Sequence, residues 1–325
     1  MNVRRLIPTA ALAGAVTLGL VTLTACSGTS DTAGKGSGGK LDVVASFYPM
    51  QYLAEQIGGG HVAVDTLTKP GVEPHDLELK PKQIGALGEA DVILYLKGIQ
   101  PAVDDAIAQA GVANTVDAAT LTKLEDHGTS SGHDHAAEEA GHDHGHDHTS
   151  EAGADPHIWL DPVKYAEVAK GVGTAFEKAD PDHAADYRKN TDALVKKLGA
   201  LNTEFADGLK TTTTRTFITT HSAFGYLAER YGLDQEGITG IDPESEPSPA
   251  RVKELQDIAK KDKVSTVFFE TLASDKTARA LAADTGLKTD VLDPLEGITA
   301  TSKGADYIQV MQSNLAALQK ALGAK

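Results

Sequence analysis

Short β-branched or apolar runs recur in two sets along the chain, and helix-length segments alternate with them. The first set is residues 41–47 (LDVVASF), 62–67 (VAVDTL) and 91–96 (DVILYL); the second is 215–220 (RTFITT), 264–269 (VSTVFF) and 289–292 (TDVL). Apolar runs of this length, bounded by polar and Gly/Pro positions, read as strands. Strand then helix, repeated in two sets, predicts an α/β protein of two lobes with mainly parallel sheets. About 285 residues follow from Leu41 onward, more than a single core usually serves, which fits two lobes. Open sheets of this kind take ligands beyond the carboxyl ends of their strands.

Between the two sets the period changes. Tyr187, Leu194, Leu198, Leu201, Phe205 and Leu209 follow one another at seven, four, three, four and four residues, which is one apolar stripe on a helix. Asp180 suits the N-cap and Pro181 the first helical position. A helix of about 28 residues at 1.5 Å per residue would be about 40 Å long, enough to run along both lobes as a rigid connection. Gly199 is its weak point, costing about 1 kcal/mol in a helix interior, and a break there would give two shorter helices instead.

The amino terminus is patterned differently. Arg4 and Arg5 precede an apolar, small-residue-rich run from Leu6 to Leu23, and Leu-Thr-Ala-Cys26 follows. This reads as a secretory signal over residues 1–25. Leu-Thr-Ala-Cys resembles a bacterial lipobox, which implies cleavage before Cys26 and a diacylglycerol on its sulfur. Cys26 is the only cysteine, so no internal disulfide competes for it. Residues 26–40 are Gly/Ser-rich and read as a flexible tether to the membrane. No other hydrophobic run is long enough to cross a bilayer. The expected location is the extracytoplasmic face of the cell membrane. The formal charge is −16, and the leader contributes two arginines and no acids, so its loss makes the remainder more negative still. Such a chain is a poor nucleic-acid binder.

Seven of the twelve histidines fall in one stretch, DHGTSSGHDHAAEEAGHDHGHDHT, over residues 126–149. They are His127, His133, His135, His142, His144, His146 and His148, interleaved with acids and free of Lys and Arg. Mixed His/Asp tracts are metal-binding by composition, and imidazole suits zinc and other late first-row ions. An internal, mixed tract is unlike an expression tag. Its disorder-prone composition does not fix a coordination geometry, so a selective site has to lie elsewhere.

Five histidines remain. His61 follows three glycines and His183 lies in the first turn of the connecting helix, and neither has candidate ligands nearby in sequence. His75 sits in Gly71-Val-Glu-Pro-His-Asp just beyond the second strand. His157 sits in Asp155-Pro-His-Ile-Trp-Leu-Asp-Pro, and His221 ends the strand FITT and opens a helical run. All three occupy junctions where an open α/β sheet presents ligands. Asp293 and Glu296, in Val291-Leu-Asp-Pro-Leu-Glu-Gly, stand at the end of the last strand and offer a carboxylate; the sequence leaves both open. Glu270 ends another strand and is a candidate to orient a ligand imidazole. Ser46, Tyr48, Trp159 and Phe224 are candidate walls of the cleft.

These motifs, in this order and with the His-rich insertion between the first two, resemble the metal-binding lipoproteins that feed ABC importers of zinc and manganese. The resemblance runs from about Leu41 to the C-terminus. It implies an N-terminal lobe over residues 41–179 that carries the His-rich loop, a connecting helix over 180–210, and a C-terminal lobe over 211–325. It also implies a metal in the interlobe cleft, with His75, His157 and His221 as ligands and a C-lobe carboxylate as the fourth. In that family a histidine at the third position and a His-rich insertion go with zinc, while manganese members tend to carry a carboxylate there. Three imidazoles agree, being a borderline-soft set that favours Zn²⁺ over Mn²⁺. The implied partner is a membrane ABC permease, and a monomer is expected.

Other readings are a manganese-specific member of the same family, a secreted zinc hydrolase, and an adhesin with structural zinc. Three histidines with an open position also describe catalytic zinc, with Glu73 or Glu296 as a base. Against catalysis, the chain has no His-Glu-x-x-His helix, and the three histidines are scattered over about 150 residues without a nucleophile motif. No enzymatic activity is expected.

Overall fold

The computed structural model describes residues 39–112, 114–127 and 154–324. The chain alternates β1 (Leu41–Ala45), α1 (Tyr48–Gly58), β2 (Val62–Thr66), α2 (Pro81–Glu89), β3 (Val92–Tyr95), α3 (Pro101–Ala110) and β4 (Thr115–Asp117). Two long helices follow, α4 (Pro162–Ala179) and α5 (Ala184–Gly208). The alternation then resumes with β5 (Thr216–Thr219), α6 (Gly225–Tyr231), β6 (Asp234–Gly237), α7 (Pro249–Lys261), β7 (Thr266–Phe269), α8 (Lys276–Thr285), β8 (Lys288–Val291) and α9 (Tyr307–Leu322).

The eight strands form two four-stranded sheets in the orders β2-β1-β3-β4 and β6-β5-β7-β8, with every neighbouring pair parallel. The second sheet repeats the topology of the first. The expected α/β class with parallel sheets and a long connecting helix is therefore the observed one. In both sheets the chain order reverses beside the first strand, between β1 and β3 and between β5 and β7, which is where such sheets open a ligand crevice.

Side-chain alternation explains why the central strands are apolar throughout. In β5 and β7, Phe217 and Phe268 face one core while Ile218 and Val267 face another. In β1, Val43 and Ala45 face the shared core and Val44 the outer one with α2 and α3 residues Leu87, Val103 and Ile107. A parallel sheet covered on both faces requires this pattern. The shared core runs through both sheets without a break, from Leu41 and Trp159 to Phe268 and Leu322.

The helix α5 is continuous through Gly199 and buries Tyr187, Thr191, Leu194, Leu198, Leu201 and Phe205. Its first half meets α1, where the Asn190 amide donates to the Ile57 carbonyl at 3.0 Å; its last turns meet α9, where Gln319 donates to the Gly208 carbonyl at 3.2 Å. One stiff element thus spans from the first sheet's layer to the second's. The helical run starts at Pro181 after Asp180, as expected, but its first turn is not α-helical. Pro181–His183 form a 3₁₀ turn and the α-helix begins at Ala184. The Asp180 carboxylate does not cap the backbone; Oδ2 instead bonds His183 Nδ1 at 2.6 Å and accepts from the Tyr187 hydroxyl at 2.9 Å.

Two glycines in the paired helices α4 and α5 should respond oppositely to alanine. Nothing lies within 4 Å of a Cβ at Gly199, so Gly199→Ala is expected to raise stability by about 1 kcal/mol through helix propensity alone. A Cβ at Gly173 would lie 2.3 Å from Thr191 Oγ1, so Gly173→Ala is expected to lower stability by about 1–3 kcal/mol despite its better propensity. Urea midpoints of the two variants test both signs.

Candidate metal centre

Four elements deliver four side chains to one point. Beyond β2 the ladder continues for two residues, with Leu67 and Thr68 donating to Ala45 and Ser46. The chain then turns at Gly71, where φ is +83°. Glu73 Oε2 accepts the backbone N–H of His75 at 2.8 Å and of Asp76 at 3.3 Å, which fixes the bend that carries His75. His157 is set by Asp155, whose Oδ1 accepts both its backbone N–H at 2.9 Å and its Nδ1–H at 2.8 Å. His221 follows β5 directly, and its Nδ1 lies 2.7 Å from Glu270 Oε1 at the end of β7. The Thr220 hydroxyl donates to the same oxygen.

Glu296 comes from the turn after β8. Leu295 is buried and adopts φ +58°, a left-handed conformation that costs a side-chain-bearing residue about 1–2 kcal/mol. Asp293 holds this turn in place. Its Oδ1 accepts from Leu295 N at 2.9 Å, its Oδ2 accepts from the Thr271 hydroxyl at 3.1 Å, and its backbone pairs both ways with the Asn314 amide. Trp159 joins the two halves of the site by donating from Nε1 to the Pro294 carbonyl at 2.7 Å, while its own carbonyl accepts from the Tyr307 hydroxyl.

The result is a compact donor set. Glu296 Oε1 lies 3.4 Å from His75 Nε2, 3.3 Å from His157 Nε2 and 3.2 Å from His221 Nε2. Zinc bound tetrahedrally at about 2.0–2.1 Å spaces its ligand atoms by about 3.3 Å, the edge of that tetrahedron. All three measured edges match it. His157 and His221 side chains and Glu296 are buried, and His75 alone keeps a solvent edge, with 10 % of its side chain exposed. His157 Nε2 is buried without a hydrogen-bond partner, which leaves a buried polar atom that an ion at this point would satisfy.

Electrostatics agree with a cation-accepting site. Burial alone would lift the Glu296 carboxyl, yet His221, then His157 and His75, hold it well below the usual carboxylate range. Burial also opposes charge on His157 and His221. The carboxylates of Asp155 and Glu296 nevertheless raise the first, and those of Glu270 and Glu296 raise the second well above ordinary imidazole. Burial and then repulsion from Glu296 push Glu73 up to about 8.

Of the two carboxylates that the sequence left open, only Glu296 joins the group; Asp293 spends its oxygens on the turn beneath it. Glu270 Oε1 meets the Nδ1 of His221, on the side of the ring away from Glu296. Trp159 is buried with its ring centroid 5.1 Å from that of His157, and Ser46 and Phe224 are buried, while Tyr48 turns toward Tyr52. His61 and His183 lie away from the site and stack at 4.0 Å. Cys26 and the tract residues His133, His135, His142, His144, His146 and His148 fall outside the described residues. His127 is described and meets Asp155 and Glu229. Sequence reasoning missed Asp155 and the tie made by Trp159. The first had a signal, a carboxylate two residues ahead of a ligand-type histidine; the second depends on a contact across 135 residues.

Fold and site together define the class, a two-sheet α/β binding protein with a buried nitrogen-and-oxygen donor set between the sheets. The chain belongs to the zinc-uptake complex component A family (periplasmic), whose model matches residues 43–321. It is 38 % identical over 308 residues to the high-affinity zinc uptake system protein ZnuA of Bacillus subtilis, covering 92 % of this chain and 94 % of that one. It is 36 % identical over 293 residues to the zinc-binding lipoprotein AdcA of Streptococcus pneumoniae, covering 88 % of this chain but 56 % of the relative, so the chain spans little more than half of that longer protein. Among solved structures, the Zn(II)-bound ZnuA-like domain of Streptococcus pneumoniae AdcA superposes with a TM-score of 0.71 at 32 % identity, covering 87 % of this chain and 99 % of that one.

The neighbouring carboxylates raise the pKa of His157 and His221, so a divalent ion competes with protons for both rings. Zinc binding is therefore expected to release protons, and affinity should rise with pH until those raised pKa values are passed. Calorimetry in buffers of different ionisation enthalpy reads the release directly. Equal heats in all buffers, with affinity flat between about pH 6 and 8, would contradict the assignment.

Proposed function

We propose that this protein captures one Zn²⁺ outside the cytoplasm through His75, His157, His221 and Glu296, and hands it to a membrane ABC permease without chemical change. The observation that carries this reading is the set of three edges of 3.2–3.4 Å from one Glu296 oxygen to three imidazole nitrogens. Such a set matches a four-coordinate zinc ion with protein ligands at every corner. Family membership supports transport as the activity, and the names of the relatives supply zinc as the cargo. The Leu-Thr-Ala-Cys26 motif supports a lipid anchor at the membrane's outer face, as does the lipoprotein name of the pneumococcal relative. The tract histidines, on this reading, gather zinc weakly ahead of the central site.

Zinc is preferred to manganese because three imidazoles form a borderline-soft set, whereas Mn²⁺ favours an oxygen-rich, six-coordinate shell. Hydrolysis is disfavoured for a different reason. Catalytic zinc keeps a position open for water, and here Glu296 takes that corner while burial leaves only the His75 edge near solvent.

His157→Ala, His221→Ala and Glu296→Gln are each expected to weaken zinc binding by more than about 100-fold, since even orienting partners of zinc ligands cost about 10–100-fold. Competition against a chromophoric chelator measures this. Growth at limiting zinc should fail in cells that carry only these variants. Unchanged uptake with all three, or manganese binding at least as tight as zinc, would overturn the proposal.

A further inference from the structure

His157 and Glu296 reach the site from opposite halves of the chain, so some contact has to set the distance between them. In the second half, Thr271 and Asn314 hold Asp293 by hydrogen bonds, and Asp293 holds the turn that presents Glu296. All of these residues belong to that half. They shape the turn but do not fix how far it stands from the ligands of the first half. Trp159 does. Its Nε1 donates to the Pro294 carbonyl at 2.7 Å across 135 residues of sequence. The bond runs from two positions beyond His157 to two positions before Glu296.

The bond acts on the one peptide group that decides the turn. The peptide between Pro294 and Leu295 is pinned on both sides, its carbonyl by Trp159 and its N–H by Asp293 Oδ1 at 2.9 Å. Leu295 then adopts φ +58°, which a side-chain-bearing residue keeps only where its surroundings impose it. Without the indole N–H the buried Pro294 carbonyl loses this donor, and rotation of the peptide would relieve Leu295. Glu296 follows directly and would move with it. On the other side Trp159 is rigidly joined to His157. Both lie in one 3₁₀ turn, where Leu160 N donates to the His157 carbonyl at 3.1 Å. The indole is fully buried and edge-on to Phe47 at 5.1 Å, and the Trp159 carbonyl accepts from the Tyr307 hydroxyl.

We propose that Trp159 is a positioning residue that sets the 3.3 Å edge between His157 and Glu296, and that this edge makes the site selective for four-coordinate over six-coordinate ions. The inference rests on the four-ligand reading of the site and deepens it. A turn free to shift would let Glu296 approach an ion through both oxygens and would admit water. That is the oxygen-rich shell that Mn²⁺ favours. The second oxygen is at hand, because Glu296 Oε2 is buried without a hydrogen-bond partner. Selectivity therefore lies in the rigidity of the turn as well as in the choice of donors.

The test uses the full chain with His133, His135, His142, His144, His146 and His148 changed to Asn, so that the tract does not compete for metal. Two changes are made in this background: Trp159→Phe, and replacement of Trp159 by its benzothiophene analogue, which keeps the ring shape and lacks the N–H. Zn²⁺ and Mn²⁺ affinities are measured by chelator competition, and one equivalent of Co²⁺ reports geometry. Four-coordinate cobalt lacks a centre of symmetry and absorbs visible light strongly; six-coordinate cobalt absorbs weakly. Zinc affinity is expected to fall by about 10–100-fold in both chains. Manganese affinity should fall less, so that the zinc-to-manganese ratio drops by about tenfold or more, and the cobalt absorption should weaken. Gly173→Ala, which loosens the fold away from the site, should leave the ratio and the spectrum unchanged. If Trp159→Phe does not fold, the analogue decides. An unchanged ratio and an unchanged cobalt spectrum in the analogue-bearing chain overturn the inference, even where its stability has dropped. The background's own spectrum reports on the four-ligand reading and the difference between chains reports on Trp159, so the two fail separately.

Discussion

A carboxylate with no access to water sits among three imidazoles, and most of the structure follows from the need to accommodate it. Glu296 is buried, and an unpaired charge there would cost several kcal/mol. In the metal-free chain His221, His157 and His75 offset it, and the first two rings are held in turn by Glu270 and Asp155. The site is thus a small network of alternating charge in a low-dielectric interior.

The two halves contribute by different routes. The strand order places β5 and β7 side by side with their carboxyl ends open, and His221 and Glu270 emerge from those two ends. From the first half come His75, on a loop bent by Glu73, and His157, on a 3₁₀ turn tied to Pro294 through Trp159. The continuous core and α5 hold the two sheets together, so the tetrahedral edges depend on rigid elements rather than on the exposed loop alone. His75 is the exception. It is the least buried of the four and rides on a loop with φ +83° at Gly71.

The parts of this arrangement that were legible in the sequence are those with a periodic or local signature. The apolar runs of β1, β3, β5 and β7 are central strands covered on both faces, and they read plainly. β4 and β6 did not. Both are edge strands, and β6 has the polar sequence DQEG with only Gly237 buried, so its identity comes from pairing with β5 and not from hydropathy. The stripe from Tyr187 to Phe205 marks α5, and the helical run starts at Pro181 after Asp180 as expected, but its first turn is 3₁₀ and the Asp180 carboxylate bonds His183 and Tyr187 in place of the backbone. The three histidines stood out by their junction positions. Choosing Glu296 over Asp293 was beyond the sequence, because both follow the same strand and differ only in what the turn does with them. Leu295 in the left-handed region turns Glu296 inward and leaves Asp293 as the brace.

A crystal structure of the zinc-loaded protein, with anomalous diffraction recorded at the zinc edge, tests the central claim most directly. The predicted result is an ion at about 2.0–2.2 Å from Nε2 of His75, His157 and His221 and from one Glu296 oxygen, with no other ligand. An ion held by Asp293 in place of Glu296, or one with several waters in its shell, would contradict it.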